Sequence, residues 1–165
     1  MSGETEYNRV DQRLLEVEKL LEEYNSTLGL KSQTVSTDVS KYLHMNVHQL
    51  RKMSPEECCE AAFLLSQQSL YVQQEINKHN QRINWAKTNI NTMVASLVEQ
   101  YGGKFTPYES RKLLAVRDNE YTSHLHDISV KAQQVVDSLS YIPQKIKVVS
   151  DILLEYQKAK EKSNG

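Results

Sequence analysis

Glycine and proline are scarce, with five Gly and three Pro in 165 residues. That leaves little material for the repeated tight turns of a β fold, while Leu, Glu, Gln, Lys and Ala favour helices, so an all-α protein is expected. Cysteine is scarcer still. Cys58 and Cys59 are adjacent, a spacing that strains a mutual disulfide, and no third cysteine exists to pair with either. No apolar run reaches the roughly 18 residues of a membrane span, and no charged-then-apolar export signal opens the chain. The expectation is a cytoplasmic protein without a membrane partner. There is also no glycine-rich phosphate loop, no HExxH and no cysteine ladder, so neither catalysis nor a cofactor is expected.

One further absence is local. Between Ile76 and Val98 there is not a single carboxylate, although the window holds Lys78, Arg82, Lys87, the lone Trp85 and the asparagines 77, 80, 84, 89 and 91. The formal net charge is −1, so any electrostatic footprint has to be local. Charge is indeed uneven. Residues 1–25 carry seven acidic and three basic side chains, whereas residues 76–104 carry four basic ones against Glu99.

Periodicity supplies the architecture. Val10, Leu14, Val17, Leu21 and Tyr24 recur at steps of 3 and 4, the stripe of an amphipathic helix. A Ser- and Thr-rich linker over 29–40 and a short helix over 40–52 are expected next. Ser54-Pro55-Glu56-Glu57 then has the form of a capping box, and no Gly or Pro follows until Gly102. The predicted helix over 55–101 is about 70 Å long. Its seam is Ala62, Leu65, Ser69, Val72, Ile76, His79, Ile83, Ala86, Ile90, Met93 and Leu97, a heptad repeat. Gly102 and Gly103 provide a reversal, and Thr106-Pro107-Tyr108-Glu109 reads as a second capping box with Thr106 as N-cap.

The returning helix repeats the frame through Leu114, Tyr121, Leu125, Ile128, Ala132, Val135, Leu139, Ile142, Ile146, Val149, Leu153 and Tyr156, with Asp118 as a polar gap. Pro143 should kink it near Leu139 without ending it. The expected organisation is therefore N-terminal helices and linker over 1–53 and a long antiparallel coiled-coil hairpin over 54–165, with its tip at 102–106. Phe63, Leu64, Leu70, Tyr71, Val94, Val98, Val136, Val148 and Ile152 lie off the seam and call for another surface, either the N-terminal helices or a second subunit. A homo-oligomer is expected.

Several side chains invite chemistry, each beside a plainer role. His44 and His48 fall at i and i+4 on the short helix, a spacing that can begin a metal site, yet no third ligand is near and solvated histidines fit better. His124 and His126 face different sides of a helix. The cysteines sit near a helix N-terminus, where a thiol pKa can fall, but small packed residues explain them as well. His79 and Ser69 interrupt the seam where polar residues usually fix register. No metal site is expected.

Lys78, Arg82, Trp85 and Asn89 follow at steps of 4, 3 and 4, forming one line beside the seam, with Lys87 and Lys104 further out. As a single-strand track, the cations would neutralise phosphates, the indole would stack on bases and the asparagines would donate hydrogen bonds. A solvated face carrying an interfacial Trp has the same composition.

The order of elements is similar to one known family. A strap leading into a long helix that includes Ile76-Asn77-Lys78-His79, a reversal at Tyr101-Gly102-Gly103-Lys104, and a return through Arg117-Asp118-Asn119-Glu120 and Lys145-Ile146-Lys147 resemble the UvsY proteins of T4-like bacteriophages. These are small, helical, oligomeric recombination and repair proteins. The resemblance covers residues 55–160. It implies single-stranded DNA as ligand, and a RecA-type recombinase and a single-strand-binding protein as partners, in the host cytoplasm if the chain is phage-encoded. The family's basic pair before the hairpin tip is absent, because Val94-Ala95-Ser96-Leu97 stands there. A shared function would thus shift the cationic track toward Lys78, Arg82 and Lys87, or to Lys104, Arg111 and Lys112 around the tip. The acidic helix from Glu16 to Glu23 is extra, either partner-binding or self-shielding. A coiled-coil scaffold or adaptor, with Trp85 in a protein interface, is the competing function.

Overall fold

Ser54 begins the longest helix through both halves of a capping box. In the computed structural model its hydroxyl accepts from the Glu57 amide at 3.1 Å, and the Glu57 carboxylate accepts from the Ser54 amide at 2.6 Å. Residues 3–29, 39–103 and 105–164 are described. Among them the secondary structure is helical throughout: α1 (Gly3–Thr27), α2 (Val39–Leu43), α3 (Val47–Lys52), α4 (Pro55–Leu97), α5 (Tyr108–Asp118), α6 (Glu120–Leu139) and α7 (Ile142–Asn164), with a 3₁₀ turn at Val98–Gln100 after α4. No helix among the described residues is long and apolar enough to cross a membrane. Most of the expected linker, residues 30–38, lies outside them.

Packing gathers the chain into two units, Met1–Lys31 with Lys78–Asp137, and Ser32–Asn77 with Ser138–Gly165. In the first, Val10, Ala86, Ile90, Val94, Val98, Ala115 and Leu125 form a buried cluster, flanked by half-buried Trp85, Leu97, Tyr101, Val116, Tyr121 and Ile128. The innermost positions thus step by four residues from Ala86 on α4 to Val98 at the start of the 3₁₀ turn, where a strict heptad would select Met93 and Leu97. Straight helices drift about 20° per heptad relative to a 3.5-residue repeat, and here that drift brings Val94 and Val98 inward.

In the second unit α7 runs antiparallel to the first half of α4. The Ser69 hydroxyl bonds to the Pro143 carbonyl at 3.1 Å, and seven residues further along α7 the Ser150 hydroxyl bonds to the Ala62 carbonyl at 2.9 Å. Ser66 joins the same carbonyl at 2.8 Å and lies 3.1 Å from Ser150, so the buried Ser150 hydroxyl is satisfied within the unit. Lys160 reaches the carbonyls of Arg51 and Met53, capping the C-terminal end of α3.

Four local expectations are corrected. The short helix over 40–52 is two helices, because Asn46 forms its own capping box with Gln49. The long helix ends at Leu97 and gives way to a 3₁₀ turn before reaching residue 101. Thr106 is not the N-cap of α5; its hydroxyl accepts from the Gly103 amide at 3.1 Å, closing the turn, and Pro107 occupies the cap without a side-chain bond.

Finally, the returning chain is three helices rather than one kinked helix. At the first break the Asn119 side chain accepts from the Thr122 amide at 3.1 Å, while the buried Thr122 hydroxyl lies 3.0 to 3.3 Å from the carbonyls of Val116, Asn119 and Ala115. These are the backbone acceptors that a helix end leaves open. At the second, Pro143 has no amide to offer Leu139, and the chain turns through Ser140 and Tyr141 before α7 begins.

Gly102 has φ +80°, and a Cβ there would lie 2.8 Å from Thr106 Cβ. Gly102→Ala should therefore destabilise the chain by about 1–3 kcal/mol through backbone strain and that contact, read as a lowered urea midpoint. Thr122→Val should cost about 1–2 kcal/mol in the same assay, because it keeps the volume but leaves buried carbonyls short of a donor.

Candidate nucleic-acid interface

Since residues 77–97 contain no carboxylate, Arg82 has no acid within a turn of it on α4 and can be neutralised inside the protein only from another element. That element is α1. Its apolar stripe docks through Val10, fully buried in the cluster with Ala86, Ile90 and Leu125, and through half-buried Leu14, Val17 and Leu21. This places Glu18 and Glu22 beside α4. The Arg82 guanidinium grips Glu18 with two nitrogens, Nε to Oε1 and Nη2 to Oε2 at 3.2 Å, and Lys78 Nζ lies 3.7 Å from Glu22. Partners climb one helix as they descend the other, so α1 is antiparallel to α4. Nearer its start, Asp11 meets the His124 ring of α6 at 3.0 Å, and Tyr7 packs edge-on against that ring with centroids 4.6 Å apart.

Four of the expected binding residues share one face. Lys78, Arg82, Trp85 and Asn89 line α4, all half-buried, with Trp85 against the cluster and the Asn89 amide donating to the Trp85 carbonyl at 2.8 Å. Cations four residues apart stand about 6 Å apart along the helix. Lys87 is exposed on another side. Arg111 and Lys112 belong to α5 and are half-buried, and Arg111 Nε has no hydrogen-bond partner among the described residues. Lys104 lies outside the described residues. Nothing in the stripe itself marked Glu18 and Glu22 as its counter-ions, but their spacing of four residues, equal to that of Lys78 and Arg82, was the available signal.

The expected seam residues are buried or half-buried by their own chain, except Ile142, which is exposed. Leu65, Val72, Ile76, Ile146 and Leu153 are buried in one unit, with Leu139 half-buried; Ile83, Ile90 and Leu125 are buried in the other, with Leu97, Ile128 and Val135 half-buried. Of the off-seam residues, Val94, Val98 and Val136 are buried, while Phe63, Leu70, Val148 and Ile152 remain exposed.

The other chemical candidates resolve simply. His44 and His48 are exposed on either side of the break between α2 and α3, not on one helix, and no cluster of metal-ligating side chains occurs among the described residues. Burial pushes the Cys58 thiol up, with nearby Lys160 opposing, so its position near a helix start does not activate it. Cys59 is exposed.

No family model, curated protein or solved structure matches this chain.

Arg82→Ala strands Glu18, whose side chain is 13% exposed, and should cost about 1–2 kcal/mol, less than a fully buried pair because Arg82 itself is 30% exposed. Urea denaturation followed by circular dichroism reads it. Iodoacetamide at pH 8 should label Cys59 well before Cys58, as peptide mass mapping would show; equal rates would contradict the burial of Cys58.

Proposed function

We propose that the protein is a non-catalytic single-stranded-DNA-binding recombination mediator. In this role it acts as an oligomer of antiparallel coiled-coil hairpins that helps load a RecA-type recombinase onto strands held by a single-strand-binding protein. The observation that carries this is the matched ladder, in which Arg82 and Lys78 engage two carboxylates at their own four-residue spacing. A line of cations that fits regularly spaced carboxylates is suited to regularly spaced phosphates, and Trp85 stands next in the line to stack on a base. The antiparallel register of α7 on α4 supports the hairpin. Oligomerisation is supported by exposed Phe63, Leu70, Val148 and Ile152, and it multiplies a weak track into useful avidity. The absence of an apolar spanning helix among the described residues agrees with action in the cytoplasm.

A scaffold or adaptor is the second reading. It is favoured by the shallow apolar groove on α7 lined by Val148, Ile152, Tyr156 and Ala159, a surface suited to another helix.

Titration of the full chain with an oligothymidylate should quench Trp85 and raise the anisotropy of a labelled strand. Both signals should weaken as salt rises from about 50 to 200 mM, and Lys78→Ala/Arg82→Ala should reduce affinity at least about fivefold. Unchanged fluorescence together with unchanged anisotropy would leave the scaffold as the function.

A further inference from the structure

We propose that α1 is an intramolecular occupant of the cationic line on α4, and that a single strand binds by displacing it. This rests on the function proposed above and adds its regulation. Three observations lead there. Glu18 and Glu22 already hold Arg82 and Lys78, so a phosphate and a carboxylate cannot use these cations together. The rest of α1 is acidic too, with Glu16 and Glu23 exposed, so the docked helix repels a strand as well as covering its site.

The attachment of α1 is also suited to release. Among its described residues Val10 alone is fully buried, while Leu15, Leu20 and Tyr24 are 64%, 65% and 61% exposed. Half-buried Leu14, Val17 and Leu21 add to this apolar contact, and the ionic contacts beside them are ones that salt screens and a polyanion competes away. Trp85 packs against the buried cluster to which α1 contributes Val10.

The test measures the anisotropy of a fluorescein-labelled oligothymidylate with the full chain. Glu18→Gln/Glu22→Gln frees the cations, and Val10→Ala loosens α1 without altering any charge. Glu16→Gln/Glu23→Gln removes the same charge from the outer face, where Glu23 faces the exposed Lys19 of its own helix at 4.0 Å, and serves as the control. Glu18→Gln/Glu22→Gln should bind roughly three- to tenfold tighter than the parent, the range expected from two partly exposed ion pairs, Val10→Ala at least about threefold tighter, and the control should change less than twofold. A control that gains as much as Glu18→Gln/Glu22→Gln would overturn the strap in favour of a general charge effect. Binding by the parent that is lost in Lys78→Ala/Arg82→Ala, but no tighter in either unlatched variant, would overturn the strap and leave the DNA-binding function standing. No binding by the parent or by either unlatched variant would overturn both.

Discussion

A helix as acidic as α1 stays against its neighbour only if its carboxylates find cations, and α4 can supply them because its second half holds no acid of its own. The Glu18–Arg82 pair sits at the centre of this dependence. It is two-pronged and mostly shielded on the carboxylate side, and it fixes the register in which Glu22 meets Lys78 and Asp11 meets His124. The apolar component, Val10 with half-buried Leu14, Val17 and Leu21, is of similar size. Burying one valine fully contributes about 1.5–3 kcal/mol, enough to orient the helix but modest for a segment of its length. Charge, placed at matching helical spacings on two segments some sixty residues apart in the chain, decides where α1 lies.

Elsewhere the organising problem is the backbone. Dividing the returning chain into α5, α6 and α7 exposes carbonyl and amide groups at each break, and single side chains answer them. Thr122 and Asn119 serve the first break, while the hydroxyl of Ser69 reaches Pro143 just past the second. Lys160 performs the same office for α3, through a contact with residues more than a hundred positions earlier. Small residues then let helices approach. Ala62 and Ser150 are buried where they meet, in a unit whose larger core side chains include Leu65, Val72, Ile76, Ile146 and Leu153.

Much of the helical content was legible because its signals are local. The Ser54 box, the glycine at 102 and the 3- and 4-residue recurrence of apolar side chains each act within a turn or two. Thr106 misled because its hydroxyl had two possible amides to serve, and the nearer turn claimed it. Asn119 was legible only in part: Asp118 read as a gap in the stripe, but an asparagine that caps from within a frame continuing on both sides leaves the periodicity intact. The stripe of Lys78, Arg82, Trp85 and Asn89 was readable as a line. That its cations were already engaged was legible only in the matching spacing of Glu18 and Glu22 and in the self-shielding option for the acidic helix, since an ion pair between distant segments leaves no mark in either segment alone.

The second unit has a consequence for the order in which the chain is made. Its two parts, residues 32–77 and 138–165, flank the whole stretch between them. A nascent chain emerging at roughly 5–20 residues per second therefore presents Leu65, Val72 and Ile76 for several seconds before α7 exists to cover them. The stripe of α4 that later becomes core is, during synthesis, a bare apolar helix face open to chaperones and to the same face on a neighbouring polysome.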